Sequence, residues 1–231
     1  MDLKNKEDKK LKNIIIATIL IAMQFVFPFI FVIALTLMGI NIDPNDTKTI
    51  MILNLIINLI FMFVVAIVYF NSIISDFKDF KANIKKYFKE NIKYWLFGIV
   101  LMYIINIILI YYIYGSNSAN ESQVQEQILN FPFYMAFSIA IYAPFVEELI
   151  YRKSIRNVFN NEMLYILISG FLFGASHIAM DPTQYLYILP YGIVGAMFAK
   201  TYYKTDNIFV PIMFHFIHNL IMLLISLGVF L

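Results

Sequence analysis

Phe145-Val146-Glu147-Glu148-Leu149-Ile150-Tyr151-Arg152 closes an apolar run that begins near Phe131. Two adjacent carboxylates and a guanidinium stand there among residues suited to hydrocarbon. A charge at the centre of a bilayer helix costs about 2.5–3.5 kcal/mol on insertion scales, so ionisable residues in a span face a partner, a cavity or a reaction. All three histidines, His177, His215 and His218, lie downstream in further apolar runs. Two acids followed by histidines in this setting suggest a water-activating site inside a membrane.

Composition supports the setting. Of 231 residues, 61% are hydrophobic and only 14% charged, which is far from the globular balance and fits a chain that crosses a bilayer repeatedly. The absence of cysteine removes disulfides, thiolate metal sites and a cysteine nucleophile. Seven apolar runs approach the ~20 residues that a spanning helix needs: Ile14–Ile40, Ile50–Phe70, Tyr94–Tyr114, Phe131–Tyr151, Met163–Met180, Tyr185–Ala199 and Ile208–Leu231. The first follows a lysine-rich head but is too long for a signal-peptide core, contains Gln24 and Pro28, and has no A-x-A-like cleavage site, so it reads as a retained span. Heavy use of Ile, Asn, Lys, Phe and Tyr fits an AT-rich bacterial genome, and the expected location is the bacterial cytoplasmic membrane.

The basic residues give an orientation. Sixteen of the seventeen Lys and Arg fall before span 1 or in the connections 2–3, 4–5 and 6–7, and only Lys48 lies on the other side. Positive charge stays on the cytosolic side, so the chain is expected to start inside and cross seven times. The expected fold is an all-α polytopic bundle. Residues 1–130 form an N-terminal membrane region of three spans, and 131–231 form the chemically equipped core. Between spans 2 and 3, residues 71–93 alternate charge with Phe77, Phe80, Ile84 and Phe88, a pattern that suits an amphipathic helix on the inner surface or a solvated linker. The polar stretch Gly115–Asn130 is expected to be a loop with some helix.

Helical spacing sorts the acids. Glu148 and Arg152 are four apart with the acid first, a favourable pair, whereas Glu147 points ~100° away and is left as the available carboxylate. Pro144 deprives the Ala140 carbonyl of its helical donor and loosens the turn before the acids. The plainer alternative is that both acids merely mark the inner end of span 4. His215 and Asn219 share a face one turn apart and could present two donors to one oxyanion. His218 lies on a neighbouring stripe and reads as a packing residue. His177 follows Gly174-Ala175-Ser176, small residues that admit a neighbouring helix. For Glu147, His177 and His215 to share a depth, span 4 must continue past Tyr151 through Arg152 and Arg156 to about Asn157.

Other membrane chemistries fail on inspection. No histidine precedes a glutamate, so the H-E-x-x-H zinc helix is absent, and no span contains an aspartate. Ser169-Gly170 lacks the preceding glycine of a serine intramembrane protease.

Glu147-Glu148-x-x-x-Arg152, Phe173-x-x-x-His177 and His215-x-x-x-Asn219 resemble, in order and separation, the three motifs of the CAAX-protease and bacteriocin-processing family of type II CAAX prenyl endopeptidase-like intramembrane proteases. The resemblance covers roughly 131–225. It implies a helical membrane bundle with a cavity open to the cytosol, in which Glu147 activates water, His177 orients it, and His215 with Asn219 stabilises the oxyanion. Glu148 and Arg152 would hold the helix. Tyr151 and Lys153 depart from the residues that commonly flank the arginine, and His218 adds a histidine inside the third motif. No cofactor is expected; the alternative is zinc on Glu147, His177 and His215. The expected partner is a membrane-embedded or lipidated peptide in the lipid bilayer, with no nucleic acid. The rival reading is a non-catalytic scaffold or bacteriocin-immunity protein of the same fold.

Overall fold

The computed structural model describes residues 3–156, 158–179 and 181–229. Among them every regular element is helical. Eight helices follow in chain order: α1 (Leu3–Leu37), α2 (Thr47–Val68), α3 (Phe70–Tyr114), α4 (Ala119–Asn130), α5 (Pro132–Arg156), α6 (Glu162–His177), α7 (Ile188–Thr205) and α8 (Phe209–Ser226). Local chemistry sets several boundaries. Asp46 caps α2 by accepting the amides of Lys48 and Thr49, Ser118 caps α4 by accepting the amide of Glu121, and Pro132 opens α5. Gly115, at φ 74°, ends α3 in the left-handed region that a side chain resists.

Five helices are long and apolar enough to cross a membrane: Lys10–Leu37, Thr47–Val68, Phe70–Tyr114, Pro132–Arg156 and Phe209–Ser226. The expected fifth run is apolar but gives only the 16-residue α6, and α7 has 18 residues without reaching the same apolarity. The expected run ends at Met180 and Leu231, and the expected helix end at Asn157, lie outside the described residues. Outward faces of α1–α3 carry exposed Phe29, Phe63 and Tyr112, a surface suited to lipid.

The expected separation of residues 71–93 from span 3 does not occur. They form the first half of one unbroken 45-residue helix, about 67 Å long at 1.5 Å per residue. The apolar side of this half docks on protein. Phe77 and Phe80 pack on Phe209 of α8, and Phe88 packs on Phe214. Asp76 strengthens the joint: its Oδ2 accepts Lys153 Nζ at 3.0 Å and the Ile208 amide at 3.3 Å. The Asn207 side-chain amide donates to the Asp76 carbonyl at 2.7 Å and to Asp79 Oδ2 at 2.8 Å. One carboxylate thus ties α3 to the end of α5 and to the start of α8.

The core gathers around α5, where Val146, Leu149, Ile150 and Tyr151 are fully buried with Tyr165, Phe173 and Ala199. α6 and α7 approach closely because glycines meet there. A Cβ on Gly174 would lie 2.5 Å from the Ile188 carbonyl oxygen, and one on Gly170 2.6 Å from that of Gly192. Contacts gather the basic segments at one end of the bundle, where Lys153 meets Asp76, Lys200 meets Glu162 and Lys204 lies over the Tyr94 ring. α4 sits at the other end. There Ser118 bonds the Tyr191 hydroxyl, and the Gln184 side chain accepts the Ala119 amide.

Candidate active site

Two wide turns bracket the acids. Within α5, π-helical turns at Ser138–Tyr142 and Leu149–Lys153 flank the regular segment Ala143–Glu148. Such turns shift bonding from i+4 to i+5 and leave backbone groups free for other partners. The Ala143 amide bonds the Ser138 carbonyl, so it does not serve Ile139. The next donor for Ile139 would be Pro144, which has no N–H. Asn219 fills the gap: its Nδ2 donates to the Ile139 carbonyl at 2.9 Å. Proline and asparagine, 75 positions apart, are thereby matched. The helix continues beyond Tyr151 to Arg156, the long fourth helix that a common depth for the three motifs requires.

Arg152 and Glu148 are both fully buried. Arg152 Nε donates to Glu148 Oε2 at 2.9 Å and its Nη2 to Oε1 at 3.3 Å. The guanidinium also donates through Nη1 to Ser169 Oγ at 3.1 Å, and it lies 4.6 Å from the Phe173 ring centroid. Ser169 in turn donates to the Tyr151 carbonyl at 2.6 Å, in the second wide turn. A buried ion pair needs this kind of full hydrogen bonding to offset its desolvation.

Glu148 has a further partner that sequence spacing does not reveal. His215 Nδ1 donates to Glu148 Oε1 at 2.9 Å. Because a carboxylate only accepts, the proton of a neutral His215 sits on Nδ1, and Nε2 faces Glu147 Oε2 at 3.9 Å. The single imidazole therefore lies between the two neighbouring acids. Phe198 stacks on the ring at 5.0 Å and Phe173 meets it edge-on at 5.8 Å. Glu147 Oε2 is buried and has no hydrogen-bond partner.

His177 is fixed differently. Its Nδ1 donates to the Phe173 carbonyl at 2.8 Å, which leaves Nε2 as an acceptor, and Tyr191 stacks on the ring at 4.4 Å. Among the described residues no group of three or more His, Asp and Glu side chains is arranged to hold a metal ion. Glu147, His177 and His215 therefore do not form a zinc ligand set, and no step is derived through zinc.

A cavity of about 340 Å³ touches His177, His215, His218 and Asn219. Glu147 is not part of its lining. The resemblance implies an opening on the basic, cytosolic side. This cavity instead runs toward α4, reaching Ser118, Glu121 and Gln125. His218, expected as a packing residue, faces the cavity. Sequence reasoning missed Ser169, Phe198 and Tyr191; only Ser169, a hydroxyl inside an apolar run, carries a local signal.

The model of the family described as "Type II CAAX prenyl endopeptidase Rce1-like" matches residues 129–221, the stretch that contains all three motifs. This is a family of proteases. No curated protein and no solved structure matches the chain. Through residues 129–221 the chain belongs to the Rce1-like family of type II CAAX prenyl endopeptidases.

Proposed function

We propose that the protein is an intramembrane endopeptidase that hydrolyses a peptide bond of a membrane-embedded or lipidated peptide, without a metal, in the bacterial cytoplasmic membrane. The observation that carries this reading is Glu147 Oε2, a buried carboxylate oxygen with no partner, 3.9 Å from His215 Nε2. Leaving such a group unsatisfied costs about 1–3 kcal/mol or more, so the position is suited to a reacting water rather than to packing. In the proposed reaction Glu147 takes a proton from water and the water oxygen attacks the scissile carbonyl carbon. His177, with Nδ1 held on Phe173, offers Nε2 to orient that water. Asn219 uses one amide hydrogen on Ile139 and has the second for the oxyanion. His215 can donate from Nε2 only as imidazolium, because Nδ1 already serves Glu148. When the C–N bond breaks, the proton on Glu147 passes to the leaving amine and the carboxylate is restored.

The test is Glu147→Gln, which keeps shape and hydrogen bonding and removes the base. Membrane peptides from cells with either form are compared, and the accumulating peptide is then assayed with purified protein. Turnover is expected to fall by about 10²–10⁴-fold with normal abundance and folding. Retained turnover refutes the assignment of Glu147. A biological effect that persists without cleavage favours the scaffold or immunity reading.

A further inference from the structure

The 340 Å³ cavity has a lining out of keeping with a site approached from the basic end. Its walls are apolar, with Met102, Ile107, Val194 and Leu223, and its floor holds the histidines. At the α4 end stand Asn117, Ser118, Asn120 and Gln125 around Glu121, the single charged residue of the lining. Glu121 is partly buried, and its Oε1 accepts the Gln125 amide at 2.9 Å. Burial pushes its carboxyl above the ordinary range, which a cation beside it would reverse. The mouth is also linked to the floor. Tyr191 stacks on His177, and its hydroxyl holds Ser118 at 2.8 Å and Asn120 at 3.3 Å. The volume falls within the ~300–1,000 Å³ typical of ligand pockets.

We propose that this cavity binds an extended apolar peptide segment carrying a lysine or arginine, admitted from the α4 end of the bundle, with Glu121 selecting the positive charge. The proposal rests on the protease reading for the use of the site, but the cavity and its selectivity can be measured without cleavage. The chain has no cysteine, so one introduced thiol reports on its surroundings. Met222→Cys and Val124→Cys each place a thiol on the lining. In intact cells, each is treated with the membrane-impermeant trimethylammonium-ethyl and sulfonatoethyl methanethiosulfonates, with free mercaptoethanol as the rate reference.

The expected result is labelling from the outside, with the cationic reagent favoured about tenfold over the reference ratio. That is the effect of one unit charge ~10 Å away at an effective dielectric of ~20. Glu121→Gln should return the ratio to that of mercaptoethanol. In detergent, acetyl-Leu-Lys-Leu-Leu-amide at millimolar concentration should slow labelling by neutral methyl methanethiosulfonate, and the Glu counterpart should not. Failure of both thiols to label from outside, a cation preference that survives Glu121→Gln, or equal protection by the two peptides overturns the proposal. Labelling should be unchanged in a Glu147→Gln background. An inactive protein with a cation-selective cavity therefore refutes only the protease reading, and an active one without selectivity refutes only this inference.

Discussion

Glu148→Gln removes an acceptor on which three donors converge: Arg152 Nε at 2.9 Å, Arg152 Nη2 at 3.3 Å and His215 Nδ1 at 2.9 Å. Glutamine offers one oxygen in place of two and turns an N–H₂ toward the remaining donors. Arg152 keeps its charge at full burial, with Ser169 and the Phe173 ring as its remaining support. Breaking a buried pair from one side costs about 3–5 kcal/mol. At ~2–4 °C per kcal/mol for a chain of this size, the midpoint of thermal unfolding in detergent should fall by roughly 6–20 °C. Replacing both partners, as Glu148→Leu with Arg152→Met, removes the stranded charge and should recover most of that loss. Turnover should not recover, because His215 has lost the group that fixes its tautomer, an interaction worth up to ~10⁴-fold for a catalytic histidine. Unfolding midpoints and peptide cleavage are measured on both variants in the same detergent. A double variant that regains both stability and turnover would show that Glu148 only balances Arg152, and the orienting role assigned to it here would be wrong.

Gly174→Ala should destabilise the protein by about 1–3 kcal/mol, because its Cβ meets backbone at Ile188 and Gly192 rather than a side chain that can move. Gly115→Ala meets nothing within 4 Å and should cost about 1–2 kcal/mol through its positive φ alone; unfolding midpoints compare the two. Turnover is expected to survive exhaustive chelation, and one zinc per chain lost together with activity in His177→Ala would overturn the metal-free reaction. Reporter fusions at Asn83 and Tyr203 should read cytosolic and those at Asn45 and Asn120 external; a cytosolic signal at Asn120 contradicts the orientation taken from the lysines.

Spacing along a helix is the part of this site that a sequence carries openly. The contact of Glu148 with Arg152 follows from four positions and opposite charge, and the long α5 follows from the need to bring three motifs to one depth. Pro144 signals a loosened turn, but not that Asn219 bonds the carbonyl beside it, because π turns depend on packing that no short window contains. The Glu148–His215 bond joins residues 67 apart and depends on how α5 and α8 are set against each other. The fate of 71–93 is similar. Its alternation fits a membrane surface or a protein surface equally, and Phe209 and Phe214 decide between them. Cavity direction is the least legible feature, since it is the space left over by five helices.

The enclosure of His215 has a consequence for isotopes. With Nδ1 on Glu148 and the ring between Phe198 and Phe173 at 4% exposure, the imidazole cannot turn over without breaking its buried bond. Its two nitrogens therefore keep separate histories. A deuteron on Nδ1 is a spectator that leaves only when the bundle opens, whereas one on Nε2 exchanges with whatever reaches Glu147. The slow nitrogen records the breathing of the fold and the fast one its traffic with solvent, and both clocks are carried by one side chain.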